Sequence, residues 1–259
     1  MRFVIVLLLL TQVLVSNAQP SDELPVRFHI DLCSGVPNKN FKAGQNDNYL
    51  TGQAKQGWGF SLKASKAILG NLYVGLSPRM MYYSFDQGII KNHILAKHDN
   101  GKVYSEAYVS LTGVFLYNIG GQISWVFNTN ALAIEPFIET GVVFAELDSK
   151  LIKTRRKWKN SNYTDSVNIY NTNPGTPAAM YGMFGLRLNK KVAKRLNLSV
   201  SASYTTTESI PFSFRTEEVD YFDRKHDVDN FTERTAFTTI QFEMGVQFRF
   251  FRSKGKTAL

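Results

Sequence analysis

The segment from Ile240 to Phe251 reads IQFEMGVQFRFF, and it indicates the fold more clearly than any other stretch of the chain. Its apolar side chains fall on every second position, at Ile240, Phe242, Met244, Val246, Phe248 and Phe250. A period of two places alternate side chains on opposite faces of an extended backbone. The segment is therefore predicted to be a β-strand with one apolar and one polar face.

Seven earlier segments alternate in the same way. They lie near residues 26–33, 58–64, 72–77, 107–115, 132–144, 180–188 and 196–204. With their flanks they are longer than the usual strand of about 5 to 6 residues. They match the roughly 9 to 11 residues that a tilted strand needs to cross a bilayer. A soluble sandwich could show the same alternation, so the connections between the segments have to decide.

Long and short connections alternate along the chain. The connections near residues 37–56, 86–102, 148–177 and 206–234 are long, whereas those near 67–70, 120–130 and 190–194 are shorter. This rhythm is typical of bacterial barrels with short periplasmic turns and long external loops. We therefore predict an all-β fold: an eight-stranded antiparallel up-and-down transmembrane β-barrel with long extracellular loops and short periplasmic turns. An even number of strands places both ends in the periplasm.

The first residues have the features of an export signal. Arg2 precedes an apolar run from Phe3 to Val15, and Ser16-Asn17-Ala18 supplies small residues before a cleavage site at Gln19. The apolar run is shorter than the roughly 20 residues of a membrane-spanning helix. We predict a signal peptide over residues 1–18, a barrel over 19–251 and a basic tail over 252–259.

Charge and cysteine content limit the partners and the means of stabilisation. The chain carries a formal net charge of +9 and a single cysteine, Cys33, which cannot form an internal disulfide. A positive chain favours anionic partners. For an exported protein we expect no nucleic acid, and the phosphates of lipid A are the natural counter-charge.

The chain resembles the small outer-membrane barrels of the OmpA/OmpW type, and more closely the barrel-only outer-membrane proteins common in Bacteroidota. The Ala18-Gln19 cleavage context, the eight alternating segments and the aromatic last strand carry the resemblance. It implies the outer membrane of a Gram-negative cell. It also implies that the last strand is the signal read by the barrel-assembly machinery, through Phe242, Met244, Val246, Phe248, Phe250 and Phe251. The family strand usually ends at its terminal aromatic residue, whereas Arg252 to Leu259 continue here.

The face opposite the apolar one is predicted to line the lumen. It carries the cations Arg27, Lys63, Arg79, Arg187 and Arg249, the anions Asp31, Glu106, Glu135, Glu139 and Glu243, and His29 on the same face as Asp31. An eight-stranded barrel is only wide enough for side chains to fill it. Because unpaired buried charges are costly, we expect these groups to pair into a plug. A proton path or a narrow gated channel is the alternative.

Two of the predicted external loops differ in charge. The third is rich in cations, at Lys150, Lys153, Arg155, Arg156, Lys157 and Lys159. Clustered cations beside the outer leaflet are predicted to bind lipid A phosphates or a partner; a solvated charge run is the alternative. The fourth is acidic but lacks the glycine turn and closing glutamate of a calcium loop. We predict no metal site and no cofactor.

No cluster of residues indicates a reaction. None of the four histidines is followed by serine at the His-x-Ser spacing of the outer-membrane lipid A deacylases. A lipid-modifying enzyme would need His29 or a loop histidine beside a nucleophile, and we predict that the protein is not an enzyme.

The predicted function is that of a structural, partner-binding or ligand-binding envelope protein, with an accessory role in a secretion machine as one version. Its expected partners are outer-membrane lipid, lipopolysaccharide, the assembly machinery and other envelope proteins. The alternative is a narrow channel for small or hydrophobic solutes, which the OmpW resemblance would allow. That channel would be lined by apolar lumen residues near Val114, Leu116 and Phe137.

Overall fold

A computed structural model describes residues 26–38, 54–98, 103–110, 112–148, 151–158, 164–172, 175–220 and 225–250. Its elements in chain order are β1 (Val26–Pro37), β2 (Ala54–Leu69), β3 (Leu72–Phe85), α1 (Gln87–His98), β4 (Val103–Val109), β5 (Gly113–Trp125), β6 (Phe127–Asn128), β7 (Ala133–Asp148), β8 (Leu151–Trp158), β9 (Thr164–Asn171), β10 (Ala178–Ala193), β11 (Leu196–Thr207), β12 (Ile210–Asp220), β13 (Lys225–Thr235) and β14 (Thr238–Phe250). Within these ranges, no helix has the length and apolar character needed to cross a membrane. The signal peptide and the basic tail lie outside them and stay predictions.

Eight antiparallel strands form a closed barrel. Their order around the wall is β10, β11, β14, β1, β2, β3, β5 and β7, and pairing between β7 and β10 closes the ring. Strand β14 pairs with β1 from Phe250 opposite Val26 to Thr239 opposite Pro37, so the first and last strands of the barrel are neighbours. The predicted eight-stranded up-and-down barrel is confirmed. Its strands are 12 to 16 residues long, enough to cross a bilayer at a tilt.

The register fixes the width of the barrel. A path of cross-strand partners that leaves β1 at Val26 returns to β1 at Val36, ten residues further along (36 minus 26). The partners on this path are Lys66, Val74, Ile123, Ile138, Phe184, Tyr204 and Ile240. For eight strands, an offset of this size corresponds to a tilt of roughly 40° and a backbone radius of about 8 Å. Such a barrel has room for side chains in its lumen and little else.

A second sheet continues one side of the barrel wall. Its strand order is β13, β12, β9, β8 and β4, and these strands adjoin β14, β11, β10, β7 and β5 along the chain in the same lateral order. Helix α1 follows β3 and packs against β4 at one edge of the sheet. The long external connections predicted near residues 86–102, 148–177 and 206–234 are therefore largely helix or strand. We call the five strands the extracellular sheet.

The prediction for the fourth barrel strand was wrong. The segment near residues 107–115 was expected to cross the membrane, with a turn near 120–130. Instead Ala107 and Val109 lie in β4 of the extracellular sheet, and the fourth barrel strand is β5, which runs through Gly120 to Trp125. Two adjacent glycines resemble a turn, but here they lie in the middle of a strand.

The two faces of the wall differ as expected. The outer face exposes large apolar side chains, among them Leu32, Leu76, Ile138, Phe184 and Met244, each at least 61 % exposed. The inner face has two layers. Charged side chains lie in the periplasmic and middle parts of the lumen, whereas the extracellular part combines a large apolar cluster with buried Ser, Thr and Gln side chains of β11 and β14.

Candidate functional site

Glu243 of β14 is the centre of one cluster of charges in the lumen. Its carboxylate accepts a hydrogen bond from Arg79 Nη2 at 2.7 Å, another from Ser201 Oγ at 2.8 Å, and a close one from Lys63 Nζ. Lys63 Nζ also lies 3.2 Å from Asp31 Oδ2. These residues come from β1, β2, β3, β11 and β14, so the cluster ties together strands on different sides of the lumen.

Glu135 of β7 is the centre of a second cluster nearer the periplasmic end. Arg187 Nη1 lies 3.2 Å from Glu135 Oε1, and Arg27 Nη1 lies 3.3 Å from Oε2. Ser124 Oγ and Asn189 Nδ2 donate further hydrogen bonds to the same carboxylate, at 2.8 and 3.0 Å. Two arginines and two neutral donors therefore surround one buried anion.

Glu139 extends the first cluster towards the apolar layer. Its Oε1 accepts a 2.7 Å hydrogen bond from the Tyr181 hydroxyl, and Arg79 Nη1 lies 3.7 Å from the same oxygen. Aromatic rings cover other members of the network: the Arg27 guanidinium lies 3.3 Å from the centre of the Tyr73 ring, and that of Arg187 lies 4.9 Å from the centre of the Phe137 ring.

The buried part of the network is electrically balanced. Arg27, Lys63, Arg79 and Arg187 are the cations, Asp31, Glu135, Glu139 and Glu243 are the anions, and each is at most 4 % exposed. Ion pairs taken out of water persist when further hydrogen bonds satisfy their remaining donors and acceptors. The network therefore links strands through the interior of the barrel as well as around its wall.

Three other residues were predicted to belong to the lumen charge network. Two of them, His29 and Arg249, lie in the barrel outside the two charge clusters, and one, Glu106, lies elsewhere. His29 is buried beside Asp31, and its Nε2 accepts a 3.0 Å hydrogen bond from the Gln247 amide. Arg249 is half-buried at the periplasmic end and donates to Gln247 Oε1 at 3.4 Å. Glu106 was wrongly placed in the lumen: it lies on β4 of the extracellular sheet, exposed and opposite Arg155.

A buried apolar cluster adjoins the charges and extends above them, and only part of it was predicted from the sequence. Val114, Leu116 and Phe137 do face the lumen, as the channel alternative supposed. They belong to one buried cluster with further side chains from the barrel, from α1 and from the extracellular sheet, namely Tyr83, Phe85, Ile90, Val167, Ile169, Ile210, Phe212 and Phe214. This part of the lumen is packed with apolar side chains. The sequence feature that indicates it is the presence of apolar residues at positions whose parity faces the lumen.

The predicted basic loop is a strand. Lys153, Arg155 and Lys157 alternate along β8 with Thr154, which is buried opposite the core residue Val167. The three cations therefore lie on the outer face of the extracellular sheet, with Arg155 and Lys157 exposed and Lys153 half-buried. Arg156 occupies a position of opposite parity. Lys150 and Lys159 lie outside the described residues.

Other predicted features can be placed as well. On β14, Phe242, Met244, Phe248 and Phe250 are exposed on the outer face, Val246 is half-buried, and Phe251 lies outside the described residues. Wherever the structure describes side chains, no three histidine, cysteine or acidic residues are arranged to hold a metal ion.

A closed eight-stranded barrel with an apolar outer face and a lumen filled by polar and charged side chains defines the class of small transmembrane β-barrels. Solved structures of this kind resemble it. A major outer membrane protein from Thermus thermophilus has 10 % identity and a TM-score of 0.41, and covers 86 % of this chain and 99 % of its own.

Two further structures are similar. Neisserial surface protein A (NspA) has 11 % identity and a TM-score of 0.39, over 88 % of this chain and 97 % of its own. Ail, the attachment invasion locus protein of Yersinia pestis, has 10 % identity and a TM-score of 0.37, over 88 % and 98 %. No protein-family model and no curated protein sequence matches the chain. The class assignment rests on the strand pairing and faces described above.

Proposed function

We propose that the protein is a non-catalytic barrel of the outer membrane that binds an envelope ligand or partner with its extracellular sheet. The observation that carries this proposal is the double closure of the lumen, by the Glu243 and Glu135 charge clusters below and by the apolar core above. A filled lumen favours binding on the outside over passage of solutes through the inside.

The outer face of β8 supplies the chemistry for an anionic ligand. Lys153, Arg155 and Lys157 form a column of cations, with Glu106 beside Arg155 on the neighbouring strand. The sheet continues the barrel wall, so this column rises next to the outer leaflet. Arginine and lysine bind phosphate through charge-assisted hydrogen bonds. The ligand proposed is the phosphorylated headgroup of lipopolysaccharide.

Lipopolysaccharide binding by the detergent-solubilised barrel tests this proposal. The variant K153Q/R155Q/K157Q is expected to bind at least about tenfold more weakly, since each cation near an anionic lipid surface contributes roughly 1 kcal/mol. The matched control is R215Q/R234Q, which removes two exposed cations from β12 and β13 of the same sheet. An equal loss in both variants would mean a general charge effect, and no loss in either would remove the proposed site.

A protein partner is the second version, including an accessory role in the secretion machinery of a Bacteroidota cell. Its support is the extracellular sheet itself, a folded platform larger than a phosphate site needs. Affinity purification of the tagged barrel from outer membranes in mild detergent, followed by mass spectrometry, tests it. Stoichiometric recovery of envelope proteins would favour a subunit of an assembly. Recovery with lipopolysaccharide alone would discard that version.

A further inference from the structure

The periplasmic end of the barrel is positively charged and lacks exposed acids in the residues described. The tip of the β10–β11 hairpin carries Lys190, Lys191, Lys194 and Arg195, all exposed. Lys66, at the end of β2, is exposed as well. Across residues 26–28, 64–76, 122–135, 187–200 and 245–250, Glu135 is the sole carboxylate, and it is buried within the Glu135 cluster.

This segregation is specific to one end of the molecule. On the extracellular sheet, exposed cations such as Arg155 and Arg234 are interspersed with exposed Glu106, Asp227 and Asp229. At the periplasmic end, the described surface offers these cations no internal counter-charge. A cationic surface of this kind attracts an external anion, and the attraction extends over about one Debye length.

The position of two lysines identifies the anion. Lys190 and Val192 continue the outward-facing series of Phe184, Leu186 and Leu188, and Val192 is 56 % exposed. Lys66 likewise continues an outward-facing series on β2, which contains Phe60 and Leu62. An apolar side chain next to lysines at the end of a lipid-facing series is typical of a segment in the headgroup layer, where lysine reaches for phosphate.

The hairpin tip is also held firmly against the last strand. The backbone N–H of Arg249 on β14 donates a 2.9 Å hydrogen bond to the carbonyl of Arg195. This bond places Arg195 beside the strand that carries the half-buried Arg249, so that the hairpin tip and the last strand both contribute cations to one rim. A fixed cluster loses less conformational entropy on binding than the same charges on a free loop.

We propose that the β10–β11 hairpin tip binds the phosphate groups of anionic phospholipid in the periplasmic leaflet. The site is separate from the extracellular sheet and does not depend on the function proposed for it. It makes the barrel select its lipids at the periplasmic surface and holds the hairpin in the headgroup layer.

The test uses the full chain in mixed vesicles of phosphatidylcholine and phosphatidylglycerol. The association of spin-labelled phosphatidylglycerol with the barrel is measured relative to spin-labelled phosphatidylcholine. The native chain is expected to prefer phosphatidylglycerol by about fivefold or more, and about 0.5 M NaCl should reduce the preference. The variant K190Q/K191Q/K194Q/R195Q is expected to lose it, whereas K153Q/R155Q/K157Q on the extracellular sheet is expected to retain it.

Folding of each variant is checked by the change in electrophoretic mobility that folded barrels show before heating. If the fourfold variant does not fold, K194Q/R195Q replaces it, because these two residues form the turn and lie outside the strand pairing; that pair should lose at least half of the excess preference. Equal association of the two lipids with the native chain would overturn the proposal, and so would an unchanged preference in the folded hairpin variant.

Discussion

Arg79 of β3 and Glu243 of β14 are joined by a 2.7 Å hydrogen bond across the lumen, although β1 and β2 lie between their strands in the wall. Lys63 reaches the same carboxylate from β2. The strength of the barrel therefore depends on contacts through its interior as well as on pairing between neighbouring strands.

Loss of the Glu243 charge should destabilise the barrel strongly. The change E243Q leaves Lys63 and Arg79 buried without their shared anion, and we expect a loss of about 3 to 5 kcal/mol. Urea unfolding in lipid vesicles measures it. The matched control is E217Q on the extracellular sheet, where Arg215 Nη2 lies 2.8 Å from Glu217 Oε1 in a partly exposed ion pair. This variant should lose under about 1 kcal/mol of stability. Equal losses in the two variants would contradict the claim that the Glu243 contacts through the lumen stabilise the barrel.

The native barrel should not conduct ions steadily. Charged side chains occupy the middle of the lumen and an apolar cluster lies above them, so we expect no continuous path for water. Recordings in planar lipid bilayers should stay at the baseline of the lipid alone, with an open porin as the positive control. Stable unitary conductance of the folded native chain would favour the narrow-channel alternative.

Two adjacent glycines of β5 should differ in how much stability they lose on substitution by alanine. A Cβ added at Gly120 would lie 2.2 Å from the Tyr181 hydroxyl and 2.8 Å from the Thr140 carbonyl oxygen, whereas one added at Gly121 would meet nothing within 4 Å. We expect G120A to cost about 1 to 3 kcal/mol and G121A to change stability by less than about 0.5 kcal/mol. Urea midpoints compare the pair, and equal midpoints would show that Tyr181 does not pack on this wall.

The start of α1 should depend on pH through Asp86. Its Oδ1 accepts hydrogen bonds from the backbone N–H groups of Ile89 and Gly88, at 3.2 and 3.1 Å, and Lys55 Nζ lies 3.2 Å from Oδ2. The bond from Ile89 and the interaction with Lys55 lower the pKa of Asp86. A lowered pKa stabilises the fold above the unfolded pKa, and this contribution is lost as the pH falls through the folded pKa.

Limited proteolysis of the helix at neutral and acid pH measures this effect. Cleavage within α1 should increase on acidification in the native chain. D86N keeps an acceptor for the helix N-terminus but has no charge to titrate, so its cleavage should depend less on pH. D86A lacks the acceptor and should be cleaved readily at both pH values. If D86N showed the same dependence of cleavage on pH as the native chain, Asp86 would be excluded as the titrating group.

The barrel could be predicted from the sequence because the outward-facing residues of its strands keep a period of two. The alternation failed at one place, between β4 and β5. Ala107 is buried at an odd-numbered position, whereas Val114 and Leu116 are buried at even-numbered ones, so the parity changes between the two strands. Because of that change, Glu106 lies on the outer surface and not in the lumen, where it was predicted.

The composition of the lumen network was largely predictable, but its pairing was not. Parity places Lys63, Arg79 and Glu243 inside, yet it does not say that one carboxylate serves both cations. The partners depend on the ten-residue offset of the register, which is set by all eight pairings together. The extracellular sheet was missed because charged segments such as the one around Arg155 look like solvated loops until a neighbouring strand is known.

The position of Glu243 on β14 also has a consequence for the order of events during insertion. The cations that it neutralises lie on β2 and β3, near the beginning of the chain. A chain that lacks its last strand has no Glu243 to pair with Lys63 and Arg79. It would therefore enter the bilayer with an excess of positive charge in its interior. Completion of the ring and neutralisation of its interior thus coincide, and we expect the unpaired charges to disfavour entry of an unfinished barrel into the lipid.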